Sequence, residues 1–143
     1  MKIKEIMTRQ VQVIHPNDTL QTAAQKMKLY DIGFLPVFDG EELIGVVSDR
    51  DIILRAMAEG FDPKVAVGRE IVTAPVIYCY DDQSVDDAAR LMHENQIRRL
   101  VILSRGDKQM VGVVSLGDLA LNVNDKTSGD VLQSISEPVA VAK

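Results

Sequence analysis

Two segments of this chain carry a residue pattern suited to holding a polar ligand: Gly45-Val46-Val47-Ser48-x-x-Asp51 and Gly112-Val113-Val114-Ser115-x-x-Asp118. In each, an apolar β-branched run gives way to a helical pattern, so Ser48 and Ser115 stand at helix starts. One chemistry open to such a segment is structural, because Ser-x-x-Asp is nearly a capping box with Asp in place of Glu or Gln. The other is recognition. A helix start offers free N–H groups and a positive dipole end to a phosphate. A carboxylate one turn in can accept both hydroxyls of a ribose. A capping role alone accepts Glu or Gln as readily as Asp, so the same Asp in both copies favours a ligand. Arg98-Arg99 adds two adjacent guanidiniums at the entry to a strand. Successive strand side chains point to opposite faces, so one arginine is expected to need a partner, either a phosphate or a surface acid.

Other chemistry is poorly supplied. His15 sits beside Pro16 in a turn pattern and His93 on the polar side of a helical one. Neither recurs in the other copy, and no Ser/His or Cys/His arrangement accompanies them, so no catalytic residue and no enzyme activity are expected. The single cysteine, Cys79, allows no internal disulfide, gives no metal-ligand spacing and is expected to be inert in an apolar strand. No metal and no required cofactor follow. A formal charge of −5 argues against a nucleic-acid partner. No apolar run approaches the ~20 residues that span a bilayer, and Met1-Lys2-Ile3-Lys4-Glu5 leads into no signal core, so a cytoplasmic protein without membrane insertion is expected.

The elements that must position these residues come as a repeat. Glu5-Ile6-Met7-Thr8 is answered by Glu70-Ile71-Val72-Thr73, and Ala23-Ala24-x-x-Met27 by Ala88-Ala89-x-x-Met92. Each copy reads as a short helix or turn (Ile3 to Met7; Val67 to Val72) followed by an extended piece (Val11 to Ile14; Val76 to Tyr80). Thr19 and Ser84 are expected N-caps of helices whose apolar stripes are Leu20, Ala23, Ala24, Met27 and Val85, Ala88, Ala89, Met92. Strands are expected at Phe34 to Phe38, Leu43 to Val47, Leu100 to Leu103 and Met110 to Val114, and closing helices from Asp49 to about Glu59 and Leu116 to about Asn122. The fold class is α/β (α+β), two β-α-β-β-α units occupying 1–60 and 67–123 with a linker at 61–66. The tail, 124–143, lies outside the repeat, with a short helix expected at Asp130 to Ile135 and disorder expected at Pro138 to Lys143.

Asn95-Gln96-Ile97-Arg98-Arg99-Leu100 with Gly112 through Leu119, and Ile32-Gly33-Phe34-Leu35-Pro36-Val37 with Gly45 through Ile52, resemble cystathionine-β-synthase (CBS) domains. The resemblance covers residues 3 to 123 and implies a Bateman module, a pair of CBS units about a pseudo-twofold axis. Clefts between the repeats of such modules bind adenosine derivatives such as AMP, ADP, ATP or S-adenosylmethionine. By resemblance, Asp51 and Asp118 take the ribose hydroxyls, Ser48 and Ser115 contact ribose or phosphate, and Arg98 and Arg99 face phosphate. Thr8 and Thr73, with the residues after them, line the base pocket through backbone groups. Gly33-Phe34 lacks the basic pair, so the Asp51 site is expected to prefer a less phosphorylated ligand unless Arg50 substitutes. The implied function is a non-enzymatic sensor that signals to a partner protein, as a homodimer; the alternative is a protein-interaction scaffold with no small ligand.

Overall fold

A computed structural model describes residues 1–122, and the helix expected at Asp130 to Ile135 lies outside them. The described residues divide into two compact units: Gln12–Val76, and Met1–Val11 together with residues 77–122. Each unit therefore takes its short N-terminal segment from the other sequence repeat.

In the Gln12–Val76 unit, α1 (Leu20–Tyr30) starts at Thr19, whose Oγ1 accepts the Thr22 N–H at 3.1 Å. Leu20, Ala23 and Met27 form its buried stripe, whereas Ala24, at the stripe's edge, is exposed. The helix stops at Asp31, a left-handed residue with φ 52°. Strands β1 (Phe34–Phe38) and β2 (Leu43–Ser48) pair antiparallel, with Phe34 opposite Ser48. The expected Val11–Ile14 strand reduces to one parallel bridge, Ile14 to Val37. Only Ile14 joins the β1 ladder, donating to Pro36 O and accepting from Phe38 N–H. Helix α2 (Asp49–Asp51) makes one α turn and continues as a π-helical stretch, Ile52–Met57. Here the Ala58 N–H reaches the Ile53 carbonyl at 2.9 Å. Ile14, Leu20, Leu35, Val37, Val47, Ala56 and Ile71 fill the core.

In the other unit, β3 (Tyr78–Tyr80) runs parallel to β4 (Arg99–Leu103), which pairs antiparallel with β5 (Met110–Ser115). Helix α3 (Val85–Asn95) is capped by Ser84 and ends at Gln96 with φ 51°, the counterpart of Asp31. Helix α4 spans Leu116–Asn122. Ile3, which opens a 3₁₀ turn at Ile3–Glu5, and Met7, just after it, are buried with Cys79, Ala88, Met92, Leu100, Ile102 and Leu119. Backbone bonds from Ile3 N–H to Gln83 O and from Val85 N–H to Met1 O (2.9 and 3.0 Å) fasten that segment.

Candidate functional site

Both units build the same constellation from a crossing segment, a strand end and a helix start. In the Gln12–Val76 unit, Thr73 lies antiparallel to Val46, the two exchanging N–H···O bonds of 2.9 and 3.0 Å. In the other, Thr8 and Val113 exchange the same pair, at 2.9 and 3.0 Å. The glycine that opens each motif permits the approach: a Cβ on Gly45 would stand 2.5 Å from the Thr73 carbonyl oxygen, and one on Gly112 2.8 Å from that of Thr8. The threonine of one sequence repeat thus meets the Ser-x-x-Asp of the other within one compact unit.

Two residues beyond the bridge, the strand ends in a complete capping box. Ser48 N–H donates to Asp51 Oδ2 at 2.9 Å, and Asp51 N–H to Ser48 Oγ at 3.0 Å. Ser115 and Asp118 repeat this at 2.8 and 3.1 Å. The box occupies one carboxylate oxygen of each Asp and leaves Oδ1. A third box, Ser84 with Asp87 at the start of α3, has the same geometry at 3.1 Å in both directions. Asp at this position is therefore a working cap in this chain, and its recurrence at Ser48 and Ser115 does not by itself signal a ligand.

The arginines depart from expectation. Arg98 and Arg99 are both exposed, and neither makes an ion pair or side-chain hydrogen bond among the described residues. The opposite-faces argument fails because the ladder begins at Arg99, opposite Ser115, so Arg98 precedes it. Arg98 contributes a backbone carbonyl, which accepts the Leu116 N–H at 2.8 Å; Gly33 does the same for Asp49 at 2.9 Å. Gly33 is tied to Asp49 further, since a Cβ there would lie 2.7 Å from Asp49 Oδ2. Arg50 is exposed, its N–H donating to Asp49 Oδ1. The Thr8 and Thr73 N–H groups are committed to their bridges.

One site residue escaped the sequence reading. Arg55 Nη1 donates to Thr73 Oγ1 at 3.0 Å and to Ile71 O at 3.2 Å, and its Nε lies 3.8 Å from Asp51 Oδ1. Its place four residues after Asp51 on a helix was the available signal.

Away from these sites, His15 Nδ1 accepts the Asn17 N–H in a turn. Burial, with Asp87 and Asp82 nearby, pushes the Cys79 thiol up to about 11. Among the described residues no group of three or more His, Cys, Asp or Glu could hold a metal ion, and no helix is long and apolar enough to cross a membrane.

The family model for the CBS domain matches residues 3–58 and 67–125. The CBS domain-containing protein YhcV of Bacillus subtilis is 39% identical over 135 residues, 94% of this chain and 94% of the relative. A crystal structure of Hypoxic Response Protein I with two coordinated zinc ions superposes with a TM-score of 0.77 at 32% identity, over 87% of this chain and 100% of the other. The CBS domain pair of protein MJ0100, in complex with 5′-methylthioadenosine and S-adenosyl-L-methionine, gives a TM-score of 0.75 at 25% identity, over 91% and 98% of the two chains.

Proposed function

This chain belongs to the CBS-domain family, and from that premise we propose that it is a non-enzymatic regulatory module that binds an adenosine derivative and signals its presence to a partner protein. The observation that carries the reading is the constellation repeated in both units, with a threonine bridge, a capped helix start and a carboxylate oxygen the cap leaves over. The adenosine-derivative complex of the MJ0100 pair supports the ligand class. Asp51 and Asp118 offer Oδ1 to ribose hydroxyls, and Ser48 and Ser115 offer their remaining oxygen lone pairs. Arg98 and Arg99, without protein partners among the described residues, are free to take a phosphate in the Asp118 site, with Arg50 serving the Asp51 site. AMP, ADP, ATP and S-adenosylmethionine are the candidates. The family resemblance extends the proposal to a cytoplasmic homodimer, which sedimentation and fractionation test.

A second reading, a protein-interaction scaffold with no small ligand, is favoured by the Ser84–Asp87 box, where the same residue types serve as a cap alone. A thermal-shift screen of adenosine, AMP, ADP, ATP and S-adenosylmethionine separates the two. A ligand that binds only the folded state stabilises it by about 2.7 kcal/mol at a hundred times its dissociation constant. A rise in melting temperature with one or more of them is expected; no rise with any favours the scaffold.

A further inference from the structure

The two candidate sites differ in what stands four residues after the motif aspartate. After Asp51 it is Arg55, whose guanidinium joins the ribose-side carboxylate to the base-side segment: Asp51 Oδ1 at 3.8 Å, Thr73 Oγ1 at 3.0 Å and the Ile71 carbonyl at 3.2 Å. After Asp118 it is Asn122, whose amide turns back along its own helix to the Asp118 carbonyl at 2.7 Å. Asp118 Oδ1 and the Thr8 hydroxyl then have no side-chain partner among the described residues, while the corresponding atoms of the other site share one.

We infer that Arg55 is a specificity-determining residue, a clasp that occupies the Asp51 site and makes the two sites unequal. The inference rests on the proposed reading that adenosine derivatives bind beside Asp51 and Asp118. A ribose hydroxyl can donate to Asp51 Oδ1 in the best geometry only when the guanidinium has moved from that oxygen. A base approaching Thr73 meets the same side chain. The Asp118 site asks for no such displacement, so it fills first. Arg55 is about half exposed (49%), so its ion pair is screened and the clasp is modest. Its two hydrogen bonds, one to a carbonyl and one to a hydroxyl, carry most of its hold.

The test is calorimetry with adenosine, AMP and S-adenosylmethionine, using Asp118→Ala to isolate the Asp51 site, with and without Arg55→Asn, which installs the residue of the other unit. Arg55→Asn is expected to tighten binding at the Asp51 site by roughly threefold to tenfold, the span of a modest charge-assisted contact. In the otherwise native chain it leaves the Asp118 site unchanged. Arg55→Lys, which keeps the charge but loses the fork, falls between. Unchanged or weaker binding in Arg55→Asn, with the wild type binding normally, overturns the clasp and leaves the functional reading standing. If none of the three ligands binds the wild type or Arg55→Asn, reading and clasp fall together. A melting temperature of ligand-free Arg55→Asn near that of the wild type shows that the variant folds.

Discussion

Gly112 lies against the backbone of Thr8 so closely that a Cβ on it would stand 2.8 Å from the Thr8 carbonyl oxygen. Gly45 and Thr73 reproduce the relationship at 2.5 Å. The neighbour is backbone held by two hydrogen bonds, so it cannot swing aside as a side-chain tip can. Gly112→Ala and Gly45→Ala are expected to cost about 1–3 kcal/mol each, as overpacking does in a tight core. Denaturant melts check this; a loss below a few tenths of a kcal/mol would mean that the crossing segment gives way easily.

The three serine caps form an internal control. Ser84→Ala and Ser115→Ala should each cost about 1 kcal/mol, the usual worth of an N-cap. On the functional reading, only Ser115→Ala also weakens ligand binding, because Ser84 lies outside both constellations. Equal effects of the two substitutions on binding would remove Ser115 from the site.

Much of this arrangement was legible in the residues. The β-rich apolar runs between turn residues located β1 and β2, β4 and β5 to within one residue, since β-branched and aromatic side chains bounded by turn residues favour strands. Thr19 and Ser84 proved to be the caps their position implied. Less legible was anything set by pairing at a distance. Val11–Ile14 resembles a strand locally, but only Ile14 meets β1. No residue in Ile52–Met57 marks the change from α to π hydrogen bonding. That Met1–Val11 completes the core around Met92 and Leu100 is a tertiary choice which two repeats of the same element order leave open in sequence. The exposure of Arg98 and Arg99 depended on where the ladder begins.

Asp87 makes an acid limb of stability. The Ser84 N–H, and then the Ser84 hydroxyl and Arg90, hold its carboxyl below the ordinary 3.8, against an opposing effect of burial. A depressed folded value contributes stability above the unfolded pKa and loses it as pH falls through the folded one. Melting temperature should therefore fall as pH drops below about 4, and Asp87→Asn should flatten that fall. An acid limb of the same steepness in the variant would assign it to other carboxylates.

Cys79 makes an alkaline counterpart. Its thiol, raised from 9.0 to about 11, favours the protonated form in the folded state. That contribution is intact below 9.0 and is lost as pH rises through about 11. At neutral pH the buried thiol should resist alkylation in the native protein and react once the chain is denatured. Rapid native labelling would mean that the β3 core opens readily.

The most direct test is a calorimetric titration of adenosine, AMP and S-adenosylmethionine into the wild type, Asp118→Ala, Asp51→Ala and Asp87→Ala. The account predicts binding of at least one ligand to the wild type and to Asp87→Ala alike. It also predicts loss of one site in each of Asp118→Ala and Asp51→Ala. No binding by the wild type, or undiminished binding in both site variants, would contradict it.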